Sequence, residues 1–271
     1  MDKRRIGAPS AGTREGEAPI YYLSLGDSLA TGVQPTGNAG RQFRTDDGYA
    51  DQLDSIARVL LPNLRTVKLG YPGESTITMI EGGLTAYPHG SQLDEAVAFL
   101  RRHRGSVAFV TIDIGFNDLD SYSLEALPAG MASIGRNLPG ILGVLQEAAG
   151  PGTPIVGMTI YDAFLPAWLE GPLGREIARR SVWDAVAPVN GHFREIYRAA
   201  GLRTADVEGA FATTDFETEV ELAGSGRVPI NVARAREWTW GAARPPLGPD
   251  LHANAGGYRA IAEAFARELL D

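Results

Sequence analysis

The sequence predicts an α/β fold built on a parallel sheet, and three observations carry that expectation. Short apolar stretches alternate with longer segments of helical periodicity over most of the 271 residues, the pattern of strands joined by right-handed helical crossovers. Several of the strand-like stretches are apolar throughout rather than alternating, as strands covered on both faces are. The polar residues best suited to chemistry come directly after those strands, where ligands sit in open parallel sheets.

Residues 1–18 are polar and rich in Gly, Ala and Pro, without periodicity, and read as a flexible tail outside the fold. The first strand is expected at IYYLSL (20–25), running into Gly26-Asp27-Ser28-Leu29. Residues 49–60 read as a helix, RTVKL (65–69) as the second strand, and GYPGEST puts Gly73 just before a short helix starting near residues 74–76. A helix over 93–103 leads to the third strand, SVAFVTIDI (106–114), which ends in Gly115 and Asn117. Residues 131–149 read as a helix, PIVGMTIY (154–161) as a strand, 175–200 as one long helix and LRTADV (202–207) as the fifth strand. Residues 207–249, rich in Gly, Ala and charge and containing Trp238 and Trp240, read as a long irregular insertion, a candidate lid or pocket rim. The last segment places Tyr258, Ile261, Phe265 and Leu269 near one face of a helix.

Composition narrows the function. With 44% hydrophobic and 21% charged residues the chain is an ordinary globular one, which disfavours disorder and coiled coil. A formal charge of -8 with no long basic block disfavours a nucleic-acid partner and suits a neutral or weakly polar substrate. The absence of cysteine removes disulfides, thiol catalysis and thiolate metal sites. No apolar run approaches the roughly 20 residues needed to span a bilayer. The charged opening MDKRR lacks an apolar h-region, so as written the chain is expected in the cytoplasm, or outside the cell if a leader has been removed.

Ser28 at a strand-to-helix turn would expose its hydroxyl at the top of the sheet, where helix N–H groups and the dipole favour an oxyanion. The alternative is that Ser28 or Asp27 caps that helix and does nothing more. Gly73, with no Cβ, lets a backbone N–H approach a substrate oxygen, and the Asn117 amide can donate two hydrogen bonds; either is equally an ordinary turn residue. His252, in GPDLHANAGGY before the last helix, is placed to act as general base and then acid. His103 reads as a solvated helix end, and His89 and His192 as surface residues. No His/Asp/Glu group has metal-ligand spacing, so no metal is expected. The first strand is followed by neither G-x-G-x-x-G nor G-x-x-x-x-G-K-[ST], so no nucleotide or flavin cofactor is expected either. The chain also lacks the G-x-S-x-G elbow.

Four blocks in order, GDSL at 26–29, Gly73 in GYPGEST, GFND at 115–118 and His252 in DLHAN, resemble those of the GDSL or SGNH hydrolases. The resemblance runs from about Tyr21 to Leu270. It implies a flavodoxin-like three-layer α/β/α fold with a central parallel sheet of about five strands, in one domain over 19–271. It also implies cleavage of a small-molecule ester or lipid, of short to medium acyl chain, through an acyl-enzyme on Ser28 with His252 as base and acid. The Ser28 and Gly73 amides and the Asn117 side chain would hold the oxyanion, and no cofactor is implied. An acyltransferase or a carbohydrate deacetylase would use the same site; an inactive scaffold or a nucleotide-binding module is a further alternative. The sequence departs from the family where Asp-x-x-His is usual, because Pro249 stands in the Asp position and the nearest acid is Asp250. Asp250, a backbone carbonyl or an acid from elsewhere could then orient His252. WTW, with HAN and GY downstream, is similar to a branch of actinobacterial GDSL lipases. Trp238 and Trp240 are accordingly candidates for lining an acyl pocket or lid, or for burial against the body.

Overall fold

The computed structural model describes residues 18–36, 41–119, 123–245 and 247–270. The most apolar stretches take the middle of the sheet. Strands β1 (Ile20–Gly26), β4 (Leu64–Lys68), β5 (Val107–Asp113), β6 (Ile155–Met158) and β7 (Arg203–Ala205) pair in parallel in the order β4-β1-β5-β6-β7. Tyr22, Leu23 and Leu25 of β1 and Phe109, Val110 and Ile112 of β5 are all fully buried, as a sheet covered on both faces requires. The β1–β5 register ends with Gly26 beside Asp113, so the carboxyl ends of the two strands finish side by side.

One face is covered by α3 (Gln92–Arg102), α4 (Leu127–Ala149) and α6 (Ala187–Ala199), whose Leu100, Ile141, Leu145 and Phe193 pack on Leu23, Leu25, Val110 and Ile112. The other is covered by α1 (Tyr49–Ala57) and α9 (Ala255–Leu269), whose Leu53, Tyr258, Ile261 and Phe265 pack on Tyr22, Phe109 and Val156. Alternating strand residues thus serve two cores, and the result is the three-layer α/β/α arrangement. Among the described residues no helix is long and apolar enough to cross a membrane.

Two expectations are corrected, and one element is added. Residues 175–200 do not form one helix: α5 (Pro172–Arg180) and α6 are joined by a π-helical turn, Ser181–Val186. Pro188, in the first turn of α6, has no N–H to continue the α-helical ladder, and the widened turn absorbs the interruption. The stretch 207–249 is not irregular. It holds α7 (Val207–Ala210), an antiparallel hairpin of β8 (Glu219–Leu222) and β9 (Gly226–Pro229), and α8 (Ile230–Trp238). These build a third small core, in which Leu222, Val228 and Val232 meet Leu165 and Val182. Finally, a pair of two-residue strands, β2 (Gln34–Pro35) and β3 (Gln42–Phe43), lies between β1 and α1, too short to leave a period in the sequence. The short α2 (Thr76–Glu81) starts where expected. Of the N-terminal tail, residues 1–17 lie outside the described residues.

Candidate active site

The site begins where β1 ends. Gly26 has φ 136°, and a Cβ there would overlap the Asp113 carboxylate, so only glycine lets the two strand ends close up. The helix expected after Ser28 is not formed. Instead the Thr31 hydroxyl and the Val33 N–H both donate to the Ser28 carbonyl at 3.0 Å, and the Leu29 N–H donates to Asp27 Oδ1 at 3.0 Å. Side chains competing for these backbone groups replace a helical ladder with a run of turns. Ser28 therefore has no helix of its own to cap. Its hydroxyl donates to Asp27 Oδ1 at 3.4 Å, and among the described residues no hydrogen bond joins it to His252.

Asp27 and Asp113 form a buried acid pair, 1% and 5% exposed. Burial pushes Asp27 up to about 7, against the pull of the Leu29 amide and of His252. Asp113 lies well above the carboxylate range, from burial first and then the charge of Asp27. The Tyr49 hydroxyl and the amides of Ala30 and Asp27 favour its charged form, yet neither Asp113 oxygen has a partner of hydrogen-bond geometry among the described residues.

Asn117 sits in a single 3-10 turn, Phe116–Asp118, after β5. Its Nδ2 donates to Asp27 Oδ2 at 3.1 Å and to the Glu74 carbonyl at 2.9 Å. The neighbouring Asp118 accepts from the Thr76 N–H (2.8 Å), the Thr76 hydroxyl (2.6 Å) and the Ser133 hydroxyl (2.8 Å), which pins the start of α2 to α4 and with it the loop carrying Gly73. Gly73 has φ 85°, while an added Cβ would meet only Leu84 Cδ1 at 3.9 Å. The backbone angle, rather than crowding, is what asks for glycine there. Its N–H is left without a partner among the described residues.

His252 arrives from the other side, on the loop between α8 and α9. Trp240 clamps that loop through its backbone: its N–H donates to the His252 carbonyl at 3.0 Å and its carbonyl accepts from the Asp250 N–H at 3.1 Å. Asp250 Oδ1 lies 2.6 Å from His252 Nδ1 and also accepts the His252 N–H at 2.9 Å. The two-residue spacing therefore suffices, because the carboxylate folds back over its own turn. Burial raises the Asp250 carboxyl, but the hydrogen bond and charge of His252, with a hydrogen bond from Gln42, outweigh it and hold the group below the usual range. With Nδ1 donating to Asp250, Nε2 is the ring's acceptor.

Ser28, Gly73, Asn117, Asp250 and His252 all line one cavity of about 410 Å³, together with Gln42, Phe116 and Tyr161. Trp238 and Trp240 do not line it. Trp238 packs edge-on against Phe211 at 5.2 Å with the Arg234 guanidinium over its face, and Trp240 Nε1 donates to Gln34 Oε1 at 3.3 Å. The other histidines lie elsewhere: His89 contacts Glu95, His103 closes α3, and His192 Nε2 meets the Met131 carbonyl. Among the described residues no group of three or more His, Asp or Glu is placed to hold a metal ion. Gln42 and Tyr161, whose hydroxyl donates to the Leu251 carbonyl at 2.9 Å, had no signature in the sequence. Both reach the site through tertiary contacts more than 85 residues apart in the chain.

Residues 24–260 match the model of the GDSL-like lipase/acylhydrolase family. An acetylxylan esterase from Geobacillus stearothermophilus is similar in structure, with a TM-score of 0.56 at 15% identity over 92% of this chain and 94% of that one. An extracellular lipase from Streptomyces rimosus gives a TM-score of 0.56 at 18% identity, covering 92% of this chain and 99% of that one. An α/β hydrolase enzyme from the metagenome of Lake Arreo, Spain, gives 0.52 at 17% identity, covering 94% and 97%. At such identities the likeness is one of fold. No curated protein sequence matches the chain.

Proposed function

The chain belongs to the GDSL-like lipase/acylhydrolase family and is a carboxylic ester hydrolase, and from that premise we propose that Ser28 is its nucleophile, with His252 the base and Asp250 the acid that orients it. The observation that carries this reading is the 2.6 Å contact between His252 Nδ1 and Asp250 Oδ1 at the same cavity as Ser28. Ser28 Oγ attacks the ester carbonyl carbon while its proton passes to His252 Nε2. Asp250 keeps the Nδ1 proton in place and stabilises the imidazolium. The tetrahedral oxyanion takes hydrogen bonds from the Ser28 and Gly73 amides and from Asn117. His252 then protonates the leaving alcohol, and water activated by the same nitrogen releases the acid and restores Ser28.

At rest, both Asn117 protons are engaged and the Ser28 hydroxyl faces Asp27. In this reading Asp27 is the resting acceptor for both groups. The serine hydroxyl turns to His252, and the Asn117 proton on Asp27 turns to the oxyanion.

A cavity of about 410 Å³ is near the small end of ligand sites, which favours acetyl to butyryl esters over long chains. Deacetylation of a carbohydrate, the kind of substrate named for the Geobacillus enzyme, would need the same acetyl-sized site. Wild type should hydrolyse p-nitrophenyl acetate and butyrate, with kcat/KM falling beyond butyrate, and Ser28→Ala should neither turn over nor label with an organophosphonate. Labelling of the variant at wild-type rate would remove Ser28 from its role. Acetylated xylo-oligosaccharides as competing substrate distinguish a deacetylase from a general esterase, and added alcohol acceptors reveal acyl transfer.

A further inference from the structure

We propose that Gln42 is a positioning residue that clamps the Asp250–His252 pair, carried to it by the β2–β3 hairpin; the inference rests on His252 being the base. Gln42 Nε2 donates to Asp250 Oδ2 at 2.6 Å and lies 3.4 Å from His252 Nδ1. The Asp250 carboxylate is thereby divided between two jobs. Oδ1 accepts both N–H groups of His252, and Oδ2 accepts only Gln42 among the described residues. The torsion about Cβ–Cγ of an aspartate is broad and nearly two-fold. A carboxylate held through one oxygen can swing, and with it the ring that depends on it; a second charge-assisted hydrogen bond at the other oxygen stops the swing.

The hairpin is built to deliver this contact. Its register pairs Gln34 with Phe43 and Pro35 with Gln42, and each strand sends one glutamine to the histidine loop. Gln42 takes Asp250 directly. Gln34 Oε1 accepts from Trp240 Nε1 at 3.3 Å, and Trp240 is the residue whose backbone grips both Asp250 and His252. Trp240 is thus part of the strut rather than of the cavity wall.

The clamp also has an electrostatic sign. The Nδ1 proton is committed to Asp250, so the Gln42 N–H beside it is a partial positive charge facing a ring that must accept a proton during turnover. The acids facing the ring, Asp250 and Asp27, act the other way. Removing the Gln42 amide therefore favours the imidazolium and moves the acidic limb of kcat/KM towards higher pH.

The test uses p-nitrophenyl acetate from pH 5 to 9 with wild type, Gln42→Ala, Gln42→Met and Ser28→Ala. The methionine keeps length and bulk but lacks the donor. Both Gln42 variants should lose about tenfold in kcat, the scale of one hydrogen bond to a charged group, with KM changed less than about twofold. Their acidic limbs should move to higher pH, and organophosphonate labelling should still titrate one serine per chain. A role confined to folding would lower the labelled fraction and leave the limb in place, which would overturn the proposal. So would wild-type kcat in Gln42→Met. If Ser28→Ala hydrolyses and labels like wild type, the underlying reading falls and this one with it; a dead Ser28→Ala beside an unaffected Gln42→Met removes the clamp alone.

Discussion

The two halves of the site are held by different physics. The serine half hangs from the ends of β1 and β5, with Ser28, Asn117 and the buried Asp27 tied together at the edge of the main sheet. The histidine half is a loop held from outside by Trp240 backbone bonds and by side chains of a two-rung hairpin, with Gln42 exposed. A strand end is fixed by every rung of its ladder, so the first half starts from a fixed base. The loop has no such scaffold, and its geometry depends on a few individual hydrogen bonds.

That contrast orders the variants. Ser28→Ala and His252→Ala remove the proposed nucleophile and base and should each lower kcat by about 10⁶-fold, the scale of losing a triad member. Asp250→Asn should cost about 10⁴-fold by letting His252 take the wrong tautomer and orientation, with KM near wild type in p-nitrophenyl butyrate assays. Asn117→Ala removes one oxyanion donor from the serine half and should cost about 10²- to 10³-fold. The comparison breaks if Asp250→Asn proves milder than Asn117→Ala, because the loop would then orient His252 through its backbone alone. A chain-length series on Asn117→Ala sharpens it: an oxyanion donor lowers kcat by the same factor for acetate and butyrate.

The halves also differ in how far the sequence reveals them. Ser28, Gly73 and Asn117 each come after a strand, and order along the chain implies convergence when the sheet is parallel. The five strands and the face of α9 are legible for the same reason, since buried strands and a one-sided helix leave strong periods. The turns after Ser28 are not legible, because Asp27 and Thr31 side chains, not periodicity, decide there between helix and turn. The orienting group stays open at the level of sequence because spacing alone cannot show a carboxylate folding back over two residues. Gln42 leaves no signal at all: its hairpin is four residues of strand, and its partner is 208 positions away. Trp238 and Trp240 stand out by size, whereas Trp240 serves by its backbone.

The serine half carries a cost that the histidine half avoids, and Asp113→Asn measures it. Among the described residues the two buried oxygens of Asp113 have no hydrogen-bond partners, and Asp113 does not line the cavity. Its carboxyl lies well above the ordinary range in the folded chain because burial and the charge of Asp27 oppose ionisation. Below about pH 4 the folded and unfolded chains are both protonated there, and nothing is lost. As pH rises the unfolded chain ionises first, so folding loses about 1.4 kcal/mol for each pH unit over which only the unfolded group is charged. The Asp113 contribution therefore lowers the wild-type Tm as pH rises above the ordinary carboxylate range. Asp113→Asn, with no charge to suppress, should show a shallower slope and a Tm advantage that grows with pH, while kcat stays within a few-fold. Parallel Tm profiles for the two proteins would mean that Asp113 is ionised in the fold. In the histidine half the sign is reversed: Asp250 is held below its ordinary range, so its contribution is present at neutral pH and is lost as pH falls through the folded value. Asp250→Asn should accordingly lower Tm at pH 7 and converge on wild type in acid.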